Sequence, residues 1–249
     1  MRWVVAVINL KGGVGKTTSA VNIAACFGEM GKKVLLIDID PQGSASLSFG
    51  KDVDGRVLLD ALQKTIALPY VPTNIPGVDI VPAGPELAAA RKRFSGIIGE
   101  RLLSGCLKWT NGSWDYVIID CPPSLGILSM NALLASRYVL IPVEASFLGL
   151  TGLQQMMSII DSVKGKNSDI ELLSIIPCRT YPRRLLHQEI MDKLNEMFPG
   201  KVSPIVHENV SLAESPARGK PVILTSSHSR GADDYRLIAL WLAERIGPD

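Results

Sequence analysis

The chain has 249 residues and a formal net charge of +2, too small a surplus to announce a polyanionic partner, so any contact with nucleic acid must rest on a local patch. Its 47% hydrophobic and 20% charged residues exclude a disordered chain, and the length falls within the range of a single domain, 1–249. The four cysteines, Cys26, Cys106, Cys121 and Cys178, form no C-x-x-C pair, which argues for a reducing compartment and against a disulfide framework or zinc site.

Along the chain, short runs rich in Val and Ile alternate with longer amphipathic ones. The first run, "WVVAVIN", is too short for a signal-peptide core and leads straight into glycines. A helix is predicted over Thr17 to Met30, then the strand-sized "KVLLIDI", "VDIVPA" and "DYVIID". A helix over Ser124 to Ala135 precedes "RYVLIPV", one over Gly149 to Val163 precedes "IELLSII", and another covers Leu185 to Phe198. Most of the strands lack period-2 alternation, as expected of parallel strands buried on both faces. The order implies an α/β fold: a doubly wound, mostly parallel sheet with helices on both faces. In such folds the ligand site lies at the carboxyl ends of the strands.

There the residues become specific. After the first strand comes "LKGGVGKTT", residues 10 to 18, in the strand–loop–helix setting that makes a phosphate loop credible. Gly12, Gly13 and Gly15, with Val14 among them, let amide N–H groups approach phosphate oxygens. The helix N-terminus adds partial positive charge at Thr17 and Thr18. Lys16 is placed to reach β- and γ-phosphates, and Thr17 to ligate Mg²⁺. Position 10, glycine in the general pattern, is Leu10, and a second cation, Lys11, stands beside it.

The second strand ends "LLIDIDPQG". Asp38 and Asp40 alternate and share a face; near a Mg-nucleotide one carboxylate can hold a metal-bound water while the other orients the attacking water. The lesser alternative is that Asp40-Pro41 merely starts a turn. "DYVIID" ends at Asp120, a carboxylate placed to hold Mg²⁺ beside a phosphate loop. Cys26, on one helix face with Ile23 and Phe27, reads as core.

"KGGVGKTT", "DIDPQG", "DCPPSLG", "YVLIPVEASFLGLTGL", "NVSLAESPARGKPV" and "SRGADDYRLIA" together resemble the ParA/MinD family of deviant Walker A ATPases, nearest its chromosome- and plasmid-partitioning branch. The resemblance implies ATP hydrolysis with ATP and Mg²⁺ as cofactors. It implies that Lys11 crosses a dimer interface to the partner's nucleotide, that Asp40 activates water, and that Asp38 lies nearer the metal. It implies an ATP-bridged homodimer that binds nonspecific DNA, associates with the nucleoid when ATP-bound, and is stimulated by a ParB-like or cargo-adaptor protein. Asn209 falls in the late segment near adenine contacts. Departures are Glu144 where glutamine is more usual, His207-Glu208-Asn209 in place of Pro-Arg-Asn, and Ser211 in place of an arginine.

For DNA the nominated cations are Arg183 and Arg184, with Arg179 in the same run, and Arg218 with Lys220; Arg230 and Arg91 to Arg93 are weaker. Each cluster taken singly also reads as a solvated charged face. A MinD-like membrane switch is the rival reading. It would need a basic amphipathic C-terminal helix, whereas "DDYRLIALWLAERIGPD" is mostly acidic on its polar side and reads as a core helix. Membrane contact is therefore not expected, and the expected location is the cytoplasm. An iron–sulfur reductase would need cysteines in glycine-rich surroundings, which Cys106 and Cys121 lack.

Overall fold

The computed structural model describes residues 3–52, 54–94, 99–181 and 185–246. Seven strands form one sheet among these residues: β1 (Trp3–Val7), β2 (Val34–Asp38), β3 (Val71–Pro72), β4 (Val78–Val81), β5 (Tyr116–Asp120), β6 (Tyr138–Glu144) and β7 (Glu171–Cys178). Their order is β3-β4-β2-β5-β1-β6-β7. All pairings are parallel except β3 with β4 at one edge. The two-residue β3 escaped the sequence reading because a stretch that short carries no periodic signal.

The near-continuous apolar runs have a direct cause. Successive side chains on a strand point to opposite faces, and here both faces are covered. Ala6, Leu35, Ile37, Val117, Ile119, Val139 and Ile141 belong to one buried cluster. Their neighbours Val5, Val7, Val34, Leu36, Ile118 and Leu140 belong to the other. The second cluster is closed by the helix Lys16–Glu29 and the terminal helix Arg230–Ile246.

Observed helices at Lys16–Glu29, Ile127–Ala135, Phe147–Lys164 and Leu185–Met197 match the expected ones within a few residues. The second begins three residues late because Gly126 is extended at its N-cap. The third begins two residues early because the Ser146 hydroxyl oxygen accepts from Gly149 N–H. Helices Arg56–Lys64 and Leu102–Trp109 were not singled out from the sequence. Cys26 is core, as expected, and all four cysteines are buried and unpaired.

Two contacts fix the helix Lys16–Glu29, and with it the glycine loop. Phe27 stacks on Tyr116 of β5 with ring centroids 4.3 Å apart. Arg236 of the terminal helix reaches Glu29 through Nε and Nη2, at 2.7 and 2.9 Å, a bidentate guanidinium–carboxylate fork. That terminal helix buries Ile238, Leu242 and Ile246, while Arg245 covers the ring of Trp241. Among the described residues no helix is long and apolar enough to cross a membrane.

Truncation of Phe27 removes a fully buried ring and its stacking partner. Phe27→Ala is expected to lower unfolding stability by about 3–5 kcal/mol, read by urea denaturation; a loss below about 1 kcal/mol would show that the helix is held chiefly by the Arg236 fork.

Candidate active site

Parallel strands deliver the decisive residues to one edge. In the register of the sheet, Val7 pairs with Asp120 and Asp38 pairs with Asp120. The chain leaving β1 therefore starts its glycine loop beside two carboxylates. Asn9 ties that loop to β6, its Nδ2 donating to the Pro142 carbonyl at 2.8 Å while its Oδ1 accepts from Lys11 N–H at 3.0 Å.

Gly13 and Gly15 have φ of 74° and 99°, in the left-handed region that strains other residues. Gly12 does not, so its use is openness rather than backbone conformation. Gly15 also caps the helix Lys16–Glu29, whose first N–H groups have no intrahelical acceptor and face outward as anion donors.

The loop forms the floor of a cleft of about 360 Å³. Of the expected site residues, Gly12, Gly13, Val14, Gly15, Lys16, Thr17, Thr18, Asp40 and Asn209 line it. Three do not. Asp38 and Asp120 lie beneath the floor with no solvent exposure. Lys11 stands on the rim, its ammonium paired with Glu144 Oε2 at 2.5 Å.

Lys16 is buried, and its Nζ donates to the Lys11 carbonyl at 3.0 Å. Burial pushes its pKa down, and the negative charges of Asp120 and Asp40 oppose the shift. The two buried aspartates differ in their partners. Asp38 is fully engaged: Oδ1 accepts from Asp40 N–H, and Oδ2 from the N–H and hydroxyl of Ser46. Neither oxygen of Asp120 has a complete hydrogen bond; the Thr17 hydroxyl leans on this carboxylate without closing one. Burial raises the pKa of both aspartates, with the charge of Asp38 adding to the rise at Asp120.

An orphaned buried carboxylate under a hydroxyl and a glycine loop fits a small divalent cation. Among the described residues no group of three His, Cys, Asp or Glu could hold a metal. Mg²⁺ takes few protein ligands and fills its shell with phosphate oxygens and water.

The far end of the cleft brings together residues remote in sequence. Val206, His207, Glu208, Asn209, Leu212 and Tyr235 line it with Cys178 and Arg179. Asn209 spends its Oδ1 capping the helix Val210–Glu214 through Ser211 N–H. His207 Nδ1 lies 2.9 Å from Asp234, and its Nε2 lies 2.6 Å from the Arg230 guanidinium. Arg179, at a left-handed φ of 54°, pairs with Glu208 at 3.6 Å. Arg179 and Arg230, counted among the DNA cations from sequence, are thus engaged at or beside the cleft. Cys178 and Arg179 were findable, since they follow a strand's carboxyl end. Tyr235 carries no local signal.

Of the other nominated cations, Arg183 and Arg184 lie outside the described residues. Arg218 pairs loosely with Glu214 at 3.5 Å. Its neighbour Gly219 lies against the backbone of Gly50, the residue before Lys51. Arg93 sits against Asp60 and Gln63 on a different face.

The buried carboxylates make a signed prediction. A carboxyl whose pKa is higher folded than unfolded costs nothing at pH below the unfolded value. The cost appears as pH rises, and is complete above the folded value. Asp120→Asn removes it, so at pH 7.5, free of metal and nucleotide, the variant should melt about 2–4 °C higher for each kcal/mol relieved. The advantage should vanish towards pH 4. A variant that melts lower at pH 7.5 would mean that the charge of Asp120 is stabilised in place.

Comparison with known proteins follows the same lines. Residues 2–172 match the family described as AAA domain. The sporulation initiation inhibitor protein Soj of Bacillus subtilis is 37% identical, covering 93% of this chain and 94% of its own length. The chromosome partitioning protein ParA of Myxococcus xanthus is 35% identical, covering 98% and 89%. Among solved structures, MinD of Pyrococcus horikoshii in complex with Mg-ADP superposes with a TM-score of 0.80 at 26% identity, covering 99% of this chain and 98% of that one. With relatives of this identity matched almost end to end, the chain belongs to the ParA/MinD family of P-loop ATPases.

Proposed function

We propose that this single-domain chain is a Mg-ATP-driven, dimerising switch that binds DNA without sequence preference and positions or segregates a cargo. The observation that carries the reading is the spare cation. Lys16 already lies in the phosphate floor, while Lys11 is not part of the cleft lining and its ammonium is paired with Glu144, which is not part of it either. A second subunit placed face to face would receive that charge on its nucleotide.

The chain's own residues divide the work. The loop amides and Lys16 hold the phosphates; the Thr17 hydroxyl and Asp120 are the groups that would hold Mg²⁺. Asp38 stands behind them, fixing Asp40 and Ser46 through its two oxygens. Bound Mg²⁺ supplies neutralisation of charge on the β- and γ-phosphate oxygens. Asp40, in the cleft wall with Oδ1 accepting from Gln42 N–H, orients the attacking water. Lys11 from the partner neutralises the transition state in trans, as an arginine finger does. Val206 to Asn209 and Tyr235 receive the base.

Lys51, Arg218 and Lys220 offer phosphate contacts for DNA, a charge-dominated mode without base reading. Nucleoid association in the ATP state and stimulation by a ParB-like or cargo-adaptor protein complete the cycle in the cytoplasm. The MinD-like membrane reading is not favoured, because the terminal helix buries Ile238, Ala239, Leu242 and Ile246 in the core and leaves only Leu237 and Leu240 as exposed large apolar residues.

Lys11→Ala should bind ATP within about threefold of wild type, yet lose ATP-linked association and turnover; light scattering with and without ATP, alongside a fluorescent-ATP titration, reads both. Normal dimerisation would sink the in-trans role. Asp40→Ala should bind Mg-ATP and associate but hydrolyse at least about a hundredfold more slowly, so a wild-type rate would reduce Asp40 to a turn residue. For the DNA surface, Arg218→Glu combined with Lys220→Glu should weaken binding to unrelated duplexes and flatten its dependence on salt. Gel shifts with ATP at two salt concentrations test this, and an unchanged salt slope would move the surface elsewhere.

A further inference from the structure

The backbone and side chain of Lys11 are gripped from three sides within their own subunit. Its N–H donates to Asn9, whose own side chain is anchored on β6. Its carbonyl accepts from the Lys16 ammonium. Its ammonium pairs with Glu144, the last residue of β6. Glu144 is a firm post: the helix Phe147–Lys164 packs so closely on it that a Cβ on Gly149 would lie 2.2 Å from the Glu144 carbonyl.

We propose that Glu144 is a positioning residue for Lys11, an internal stand-in for the partner's nucleotide that keeps this lysine on its own subunit until ATP arrives. The inference rests on the dimer reading above. The order of events follows from the three grips. Phosphates entering the cleft draw Lys16 off the Lys11 carbonyl, which frees the backbone of the rim. The Asn9 bond still holds the backbone, but the side chain is kept by the ion pair with Glu144 alone, and the negative charge of a facing subunit's nucleotide competes for the same ammonium. Loading of one's own site is thereby linked to delivery of the lysine to the other site. The pair is partly exposed, 42% at Lys11 and 35% at Glu144, so it is a weak clasp, worth about two- to fivefold in an equilibrium. Weakness suits the role, since the clasp must yield to a polyphosphate.

The test uses the full chain and Glu144→Gln, which keeps shape and removes charge. In the nucleotide-free protein, acylation of Lys11 by an amine-reactive ester, read by peptide mass spectrometry against the exposed Lys108, should rise about two- to fivefold. With Mg-ATP the dimer dissociation constant should fall about fourfold or more, because two clasps are released per dimer, and the advantage should shrink towards unity at 0.5 M salt as the pair is screened. Unchanged labelling would remove the clasp. Raised labelling with an unchanged dimer constant, or an advantage indifferent to salt, would equally overturn the proposal. If neither protein associates with ATP, the dimer reading fails and takes this inference with it, while the labelling arm still reports whether the cis pair exists.

Discussion

Two carboxylates sit where water cannot reach them, with the nearly buried ammonium of Lys16 close by, and the architecture of the site follows from holding them there. Asp38 and Asp120 are neighbours across two parallel strands, both without solvent exposure. Charges placed so close in a low-dielectric interior repel each other strongly and lack hydration. Asp38 is relieved by three hydrogen bonds from Asp40 and Ser46. Asp120 has no complete hydrogen bond on either oxygen, and the Lys16 charge and Thr17 hydroxyl offset its burial only in part. The fold thus carries a standing electrostatic cost at the one point where a divalent cation and a polyphosphate would meet, and binding is favoured by what folding left unpaired.

The same economy explains the loop above. Left-handed glycines at 13 and 15 expose the amides at the helix start, while Asn9 stitches the loop to β6. The two lysines are not redundant. Lys16 is buried among carboxylates and serves the interior of the cleft. Lys11 is half exposed and paired with Glu144. One loop therefore carries one cation in the cleft lining and one outside it.

On the outside, the contact of Gly50 with Gly219 joins the segment that follows Asp40 to the basic turn around Arg218 and Lys220. Asp38 grips Ser46 at the start of that segment. The buried carboxylates and the outer basic turn are consequently linked by one short helix, Ser44–Ser48, and one backbone contact.

Much of this was legible in the sequence. The doubly covered sheet followed from unbroken Val and Ile runs, because a strand buried on both faces has no polar alternation to display. The phosphate loop, Asp40 and Asp120 were legible because each is a local pattern at a strand's carboxyl end, where this fold class binds ligands. Other features depended on distance in the chain. The engagement of Asp38 by Ser46, the orphaned state of Asp120, the Lys11–Glu144 pair across 133 residues, and the closing of the cleft by Tyr235 from the terminal helix are products of packing. So are the pairing of Arg179 with Glu208 and that of Arg230 with His207. A sequence specifies which groups are present and the local backbone that carries them; whether a charge is solvated, paired or left bare depends on which distant segment the fold sets against it.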